Sequence, residues 1–240
     1  MNLAIFQTEN ILSQTGDCIR VCLKERQHEH IVKIQKLGPG QEIQLGLLDG
    51  KIGRGLIVEQ DQSSTIIEVS LCQAPPAPNP IKLIMALPRP LMLKRVLQSA
   101  VSMGVKEIHL IHSNKVEKSY WQSPQISDEE IFQHALLGLE QGVDTALPEI
   151  SKHQRFRPFV EDLLPGLIQN HRAYVAHPSA HAQAAKASEE DCYLAVGPEG
   201  GFTDYEVEKL EQAGMQTLSL GPRILRVETA VPVLLAKLAD

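Results

Sequence analysis

The sequence predicts a two-domain α/β protein, with a small N-terminal β-barrel followed by a mainly parallel α/β domain. Residues 1–72 carry closely spaced, short β-type segments separated by glycine turns, which is typical of a small barrel. Residues 73–80 read Gln-Ala-Pro-Pro-Ala-Pro-Asn-Pro, the composition of a stiff extended linker. From residue 81 to residue 240, strand patterns alternate with helical patterns, which predicts a parallel sheet covered by helices.

Composition limits the class of protein. The chain has 240 residues, 43% hydrophobic content and a formal net charge of −6, and it is long enough for two small domains. It has no apolar run near the ~20 residues that cross a bilayer, and its start lacks a signal-peptide pattern. We therefore expect a cytoplasmic protein with no membrane partner. We expect the four cysteines to be reduced and mostly packing thiols: Cys18, Cys22, Cys72 and Cys192. The alternative is that Cys18 and Cys22 are metal ligands.

In the barrel region, β-type segments are predicted at residues 3–6, 18–23, 42–45 and 65–69. A short helix is predicted to follow His28 and His30. These two histidines resemble half of a metal site, but no partner cluster follows them, so surface or capping positions are favoured. Lys33 and Lys36 have two interpretations that stay open, either RNA contact or an ordinary solvated face.

In the second domain, strands are predicted at residues 81–87, 107–111, 173–176, 193–196 and 216–220. Helices are predicted over residues 91–103, from a capping box at 127–130, after a cap at 203–206, and from about Glu228 to the end. Ligands of a parallel sheet bind at the carboxyl ends of its strands. The candidate ligand loops are therefore residues 177–178, 197–201 and 221–226.

Residues 197–201, Gly-Pro-Glu-Gly-Gly, lie where a strand turns into a helix, and a Gly-Pro turn at residues 221–222 repeats the design. Such turns expose backbone N–H groups and admit a ligand close to the main chain. The sequence is neither G-x-G-x-x-G nor a P-loop, and the Glu199 carboxylate disfavours a bound phosphate. A neutral or cationic adenosyl ligand fits better. The alternative is that the glycines only permit tight turns, but two such loops at successive strand ends favour a pocket.

Two longer stretches resemble a known family. Residues 197–206, Gly-Pro-Glu-Gly-Gly-Phe-Thr-Asp-Tyr-Glu, and residues 220–230, Leu-Gly-Pro-Arg-Ile-Leu-Arg-Val-Glu-Thr-Ala, resemble the signature of the ribosomal RNA small-subunit methyltransferase E family of the SPOUT superfamily. Weaker similarity extends over the rest of the chain. The resemblance implies a PUA-like β-barrel, a SPOUT-type α/β domain with a trefoil knot, and a homodimer. It also implies S-adenosylmethionine as cofactor and methylation of N3 of a uridine in 16S ribosomal RNA of the small ribosomal subunit.

The resemblance also implies residue roles. Arg226, or second Arg223, would stabilise the uracil anion. Glu228 would orient an arginine or accept a proton. The alternative is that its carboxylate only stabilises the N-terminus of the last helix through the helix dipole. Thr229 would cap the last helix or contact the cofactor, and Leu220 and Leu225 would pack against adenine; no metal is needed. The implied cofactor residues are Ala176, His177, Pro178, Val196, Gly197, Pro198, Glu199, Gly200, Gly201, Ser219, Leu220, Gly221, Pro222, Ile224, Leu225, Arg226 and Thr229.

The chain departs from the family pattern at positions expected to bind RNA. The family opens with arginines after the initiator Met, and it carries a Glu-Gln-Ser-Gly-Arg-x-Arg type element, whereas residues 140–146 here read Glu-Gln-Gly-Val-Asp-Thr-Ala. Asp144 and Ala146 replace two basic residues, which should weaken RNA affinity. A catalytically weak RNA-binding or ribosome-assembly protein, or a methyltransferase of a different RNA, is therefore the alternative. Six scattered cations form another basic surface or are ordinary solvated charges: Lys94, Arg95, Lys115, Lys118, Arg155 and Arg157.

Overall fold

The computed structural model describes residues 1–178, 183–184 and 190–239, and the chain divides into two compact units. The first unit contains residues 1–77 and 136–147, and the second contains residues 78–135 and the chain from 148 onward. No regular element lies between the strand that ends at Gln73 and the strand that begins at Ile81. The sequence pattern contains no indication that residues 136–147 belong with the N-terminal unit.

The first unit is built on one curled sheet of six strands, in the order β1-β4-β5-β6-β3-β2. The predicted segments correspond to β1, β3, β4 and β6 and are confirmed, whereas β2 and β5 were not predicted. The core on this sheet is formed by large apolar side chains such as Phe6, Leu23 and Ile67. The strand bounds are Ala4–Phe6 (β1), Ile11–Thr15 (β2), Cys18–Lys24 (β3), Glu42–Leu47 (β4), Ile52–Gln60 (β5) and Ser64–Gln73 (β6).

A short helix, α1 (Glu25–Glu29), follows β3 and continues as a π-helical turn, His30–Gln35. The surface or capping position predicted for His28 is wrong. Its side chain is only 6% exposed, and its Nδ1 lies 2.8 Å from Thr65 Oγ1 in β6, because a buried imidazole needs a polar partner. Lys33 is exposed and pairs with Glu29 at 3.0 Å, and Lys36 ends the turn with a φ of 56°.

Residues 136–147 are fixed in the first unit by buried polar groups. Glu140 is buried, and its Oε1 accepts hydrogen bonds from Arg26 Nη2 at 2.8 Å and Gln27 Nε2 at 3.0 Å. Asp144 is 2% exposed, and its Oδ1 accepts a hydrogen bond from the Ala146 backbone N–H at 2.9 Å. The acid at position 144 therefore stabilises a local turn.

The second unit contains a seven-stranded sheet in the order β11-β13-β10-β12-β7-β8-β9, and every pairing in it is parallel. The predicted parallel sheet and its five predicted strands are confirmed; β9 and β11 were not predicted. All five residues of β12 are buried, as expected for a central parallel strand covered on both faces. The bounds are Ile81–Ala86 (β7), Glu107–Ile111 (β8), Glu149–His153 (β9), Arg172–Ala176 (β10), Gln183–Ala184 (β11), Cys192–Val196 (β12) and Gln216–Ser219 (β13).

Helices follow most strands of this sheet. All four predicted helices form, and α2, which packs against α7, begins with a proline at its first turn. At the start of α3, the Glu130 N–H donates to Ser127 Oγ at 3.2 Å, as the predicted cap requires. None of the helices in the described part of the chain has the length and apolar character of a membrane span. The helix bounds are Pro90–Ser102 (α2), Asp128–Gly142 (α3), Phe156–Pro158 (α4), Leu164–Ile168 (α5), Asp204–Gln212 (α6) and Val227–Leu238 (α7), with shorter helical turns at Thr8–Asn10, Lys118–Gln122, Pro124–Ile126 and Phe159–Leu163.

The four cysteines are free thiols. Cys18 and Cys72 are exposed, Cys22 is half-buried, and Cys192 is buried in β12. Burial raises the pKa of the Cys192 thiol to about 11, so this side chain stays protonated at neutral pH. It behaves as a small apolar packing group, as predicted, whereas the packing role predicted for Cys18 and Cys72 is wrong because both are exposed. Within the described residues, no cluster of three or more histidine, cysteine or acidic side chains is arranged to hold a metal ion.

Candidate cofactor site

The predicted ligand loops follow three strands that are neighbours in the sheet. β10 lies between β13 and β12, and all three run in the same direction. Their carboxyl ends therefore reach the same edge of the sheet, where the loops that follow them enclose a cavity of about 540 Å³. This volume lies within the range of small-molecule sites.

The loop after β12 is shaped by its glycines. A Cβ on Gly197 would lie 2.8 Å from the backbone nitrogen of Phe202 and 3.1 Å from the carbonyl carbon of Gly201, so only glycine fits without moving the main chain. Gly201 has a φ of 69°, and its N–H donates to the Pro198 carbonyl at 2.7 Å, which closes the turn. The main chain of this loop therefore forms a compact wall of the cavity.

Two side-chain hydrogen bonds hold the outer part of this loop. The Glu199 carboxylate accepts a hydrogen bond from the Arg89 backbone N–H at 2.9 Å, next to the start of α2. Lys115 Nζ, from the loop after β8, donates to the Gly200 carbonyl at 2.7 Å. Glu199 was predicted as a cofactor residue, and its side chain is engaged with the protein itself. Both contacts join the glycine loop to segments far away in the sequence.

A buried carboxylate fixes the start of α6 beside the same loop. Glu206 is 2% exposed; its Oε2 accepts from Thr203 N and Thr203 Oγ1, both at 2.9 Å, while its own N–H donates to Thr203 Oγ1 at 3.3 Å. This capping box confirms the cap predicted at residues 203–206. The other carboxylate oxygen, Oε1, accepts from the Asn114 N–H at 2.6 Å, so Glu206 also fixes the loop after β8.

The loop after β13 is exposed and leads directly into α7. Gly221 has a φ of 105°, and its N–H donates to Ser219 Oγ at 3.1 Å. Ile224 is 84% exposed and Leu225 is 37% exposed, which is unusual for side chains of this size. Arg226 is the N-cap residue of α7, and its carbonyl accepts the first hydrogen bonds of that helix. This loop therefore presents apolar side chains at the cavity.

His177, which follows β10, borders the cavity. Its backbone N–H donates to the Leu218 carbonyl at 3.0 Å, which fixes the residue beside β13. Its Nδ1 is buried and has no hydrogen-bond partner among the described residues. Because a buried polar atom without a partner costs free energy, a ligand that pairs with Nδ1 would be stabilised here.

Residues 75–239 match the model of the RNA methyltransferase domain family. The chain belongs to this family. Among curated relatives, the ribosomal RNA small subunit methyltransferase E of Treponema pallidum is 25% identical over 248 residues, covering 96% of this chain and 87% of the relative. Methyltransferase E 1 of Borreliella burgdorferi is 24% identical over 212 residues, covering 88% of each chain. The family resemblance inferred from residues 197–206 and 220–230 is thereby confirmed.

Solved structures show the same fold. The ribosomal RNA small subunit methyltransferase E of Neisseria gonorrhoeae, bound to S-adenosyl methionine, has a TM-score of 0.75 at 19% identity, covering 98% of this chain and 95% of that chain. A Legionella pneumophila protein solved with the bound cofactor SAM has a TM-score of 0.73 at 20% identity, with the same coverage. The curled sheet followed by a parallel sheet is therefore the architecture of these methyltransferase structures.

Most of the residues predicted to hold the cofactor border the cavity of this methyltransferase domain. Pro222, Arg226 and Thr229 do not border it, and neither does Glu228, whereas Arg223 does. The capping role considered for Thr229 is wrong, because the N-cap of α7 is Arg226. The predicted residues that line the cavity are Ala176, His177, Pro178, Val196, Gly197, Pro198, Glu199, Gly200, Gly201, Ser219, Leu220, Gly221, Ile224 and Leu225.

The cavity also has lining residues that the sequence did not predict as site residues. Some carry a recognisable pattern, since residues 202–204 continue the glycine motif and three apolar side chains form one stripe of α7 at helical spacing. Lys115 carries no such pattern; in the sequence it is one of several scattered cations. The additional lining residues are Lys115, Phe202, Thr203, Asp204, Leu218, Val227, Ala230 and Leu234.

Proposed function

We propose that the protein is an S-adenosylmethionine-dependent methyltransferase that methylates N3 of a uridine in 16S ribosomal RNA of the small ribosomal subunit. The observation that carries this proposal is a cavity of about 540 Å³ that is lined by three loops at neighbouring strand ends. Membership of the RNA methyltransferase domain family and the names of the curated relatives support the reaction class and the RNA. The cofactor of the Neisseria gonorrhoeae structure supports the methyl donor.

The residues present fit this cofactor. Leu220 and Leu225 give apolar surface for an adenine ring, the glycine turns give main-chain polar groups, and His177 Nδ1 gives a buried polar atom without a partner among the described residues. Residues 197–204 contain no lysine followed by serine or threonine at P-loop spacing, which agrees with a ligand that carries no phosphate. When bound, S-adenosylmethionine supplies a methyl group activated by a positively charged sulfur.

The protein side of the reaction then consists of alignment and charge stabilisation. Uracil N3–H is a weak acid, so a guanidinium beside the pyrimidine oxygens would stabilise the anion that forms when its proton leaves. We assign this role first to Arg226 and second to Arg223. Arg223 borders the cavity, which supports the second candidate, whereas Arg226 does not border it and is proposed from the family resemblance. Glu228, in the first turn of α7, would orient an arginine or accept the proton, or only stabilise the helix end.

The proposal includes the finer architecture implied by the family. We propose from the family resemblance that the C-terminal segment forms a trefoil knot. We propose that residues 1–72 form a PUA-like, RNA-binding domain joined by the 73–80 linker to a SPOUT domain at 81–240, of which residues 136–147 belong to the first compact unit. Lys33 and Lys36 are exposed in the first unit, as RNA contacts would require. A homodimer and a cytoplasmic location are part of the same proposal.

A second candidate, a catalytically weak RNA-binding or ribosome-assembly protein, is favoured by residues 140–146. In the family pattern this position carries a cation, whereas here it is Asp144. Because Asp144 is buried and accepts a hydrogen bond within a turn, its side chain is not available to bind an RNA phosphate. Such a protein would bind RNA without efficient methyl transfer. A methyltransferase of a different RNA remains the related alternative.

The deciding experiment measures transfer of labelled methyl groups into ribosomal RNA purified from cells that lack the protein, followed by mass-spectrometric mapping of the modified nucleotide. We expect incorporation at N3 of one uridine, lost in Arg226→Ala and reduced in Arg223→Ala. Lys237→Ala is the control, since Lys237 is exposed in the last turn of α7 and does not border the cavity. Calorimetry that shows no binding of S-adenosylmethionine or its demethylated product would refute the proposal. Binding of RNA without incorporation would favour the second candidate.

A further inference from the structure

The loop after β8 forms a surface that the proposed mechanism does not use. We define the β8-loop surface as His112, Lys115, Lys118 and Trp121. It is continuous with the cofactor site, because Lys115 borders the cavity and its Nζ donates to the Gly200 carbonyl at 2.7 Å. The loop begins directly where β8 ends, and the backbone N–H of His112 donates to the carbonyl of His153 in β9 at 2.9 Å.

Trp121 is held in a fixed orientation on this surface. Its indole Nε1 donates to His112 Nδ1 at 3.0 Å, and the two ring centroids are 6.3 Å apart. Burial, helped by the nearby Lys118 and opposed by Glu206, lowers the pKa of His112, so the imidazole is neutral and accepts this hydrogen bond at neutral pH. The polar group of Trp121 is thus satisfied inside the protein. The partly exposed remainder of the side chain is aromatic surface.

Two cations lie in the same segment of chain as this aromatic side chain. Lys115 and Lys118 are both exposed, in a chain whose formal net charge is −6. The intervening Glu117 is also exposed, and its carboxylate accepts hydrogen bonds from Ser119 Oγ and the Tyr120 hydroxyl at 3.4 and 3.3 Å. An aromatic platform with adjacent lysines is the arrangement that binds unpaired nucleotides, with bases on the ring and phosphates on the cations.

We propose that the β8-loop surface binds a single-stranded segment of the substrate RNA beside the target nucleotide, with one base stacked on Trp121 and a phosphate on Lys118. The inference rests on the proposed function. N3 of uracil lies on the edge that pairs with adenine, so a uridine methylated there has to be unpaired when it reaches the cavity. The RNA at the cavity mouth is then locally single-stranded, and its neighbouring bases are available for stacking.

The test uses the full chain and a fluorescently labelled single-stranded RNA of roughly 12 nucleotides, read by anisotropy at several salt concentrations. Trp121→Leu should weaken RNA binding roughly 5- to 140-fold, which corresponds to the stacking of one base, and Trp121→Phe should retain most of the affinity. Lys118→Ala should reduce the salt dependence by about 0.7 in log–log slope. Lys237→Ala is the matched cation control, since Lys237 is exposed ten residues along α7 from its start at Val227, about 15 Å away.

A second measurement does not depend on the folding of a variant. Trp121 is the only tryptophan of the chain, so its intrinsic fluorescence reports directly on stacking. We expect the single-stranded RNA to quench it, and a fully paired duplex of the same sequence to quench it less. Wild-type affinity and salt slope in Trp121→Leu and Lys118→Ala, or fluorescence unchanged by bound RNA, would overturn the inference. Failure of the proposed function looks different: the wild-type protein would bind no S-adenosylmethionine in calorimetry on the same preparation.

Discussion

Replacement of Gly197 by alanine should damage the cofactor site more than the same replacement at Gly200. The two positions are matched, because the nearest atom to an added Cβ lies at 2.8 Å in both. At Gly197 this atom is the backbone nitrogen of Phe202, whereas at Gly200 it is Cδ of Lys115. A main-chain atom inside a hydrogen-bonded turn cannot move alone, but an exposed lysine side chain can rotate away.

The size of the effect follows from these distances. Ordinary contact with a Cβ begins near 3.4 Å, so the Gly197 loop has to open by about 0.6 Å. Gly197 is buried, and added atoms in well-packed surroundings cost about 1–3 kcal/mol. If this cost falls on the cofactor-binding conformation of the loop, affinity decreases roughly 5- to 140-fold. For Gly200→Ala we expect a smaller loss, since the cost is limited to the rotamer of an exposed side chain and its hydrogen bond to the Gly200 carbonyl, about 0.5–1.5 kcal/mol.

Calorimetric titration of both variants with S-adenosylmethionine measures this difference directly. Thermal unfolding of the same samples shows whether Gly197→Ala also lowers the stability of the free protein. Equal affinities of the two variants, or a larger loss for Gly200→Ala, would show that the close main-chain packing at Gly197 does not shape the cofactor site. The steric explanation of the glycine loop would then be refuted.

Three further substitutions test the structure elsewhere. Glu206→Ala should lower the free energy of unfolding in urea by about 2–4 kcal/mol, and Glu206→Gln by less, because only alanine removes every side-chain acceptor of the α6 cap. Thr65→Val should cost about 1–3 kcal/mol in thermal unfolding by leaving the buried His28 Nδ1 without its partner, while Thr65→Ser should nearly restore wild-type stability. Burial and the neighbouring His109 lower the pKa of His153 in the folded protein below its ordinary value of 6.5. Below pH 6.5 the unfolded chain therefore binds more protons than the folded protein, and stability decreases as the pH falls through the folded pKa. His153→Asn should flatten this decline below pH 6.5; an unchanged slope would contradict the assignment.

The sequence predicts the strands whose signal is local. β7 and β12 are short apolar runs, so the central parallel strands could be found from composition alone. β2 is exposed along most of its length and β9 alternates weakly, so neither strand has a hydrophobic pattern to detect. β5 contains Gly53 and Gly55, which lower the strand signal although both residues pair in the sheet. These strands form because neighbouring strands supply their hydrogen-bond partners, and that information is not local.

The same distinction applies to the site. Loops that form the cavity wall with their own main chain, such as residues 197–201, can be recognised in the sequence by glycine and proline at the end of a strand. Lys115 contacts Gly200 across 85 positions of sequence, and His28 is buried against Thr65 across 37 positions. A lysine or histidine in a polar stretch has the pattern of a surface residue until the fold provides its partner. The loops that line the cavity can therefore be predicted from the sequence, whereas the side chains that fix those loops are identified only by the structure.

The contacts that hold the glycine loop also connect the proposed cofactor and RNA surfaces. Arg89 binds Glu199, Lys115 binds Gly200, and Asn114 binds Glu206, so segments after β7 and β8 are joined to the loop after β12. A typical hydrogen bond contributes about 0.5–1.5 kcal/mol, enough to shift a loop but not to unfold the unit. RNA seated on the β8 loop would therefore change the conformational freedom of the cofactor loop. Since such coupling is reciprocal, bound cofactor should change RNA affinity by the same factor by which RNA changes cofactor affinity, and Lys115→Ala should bring this factor closer to one.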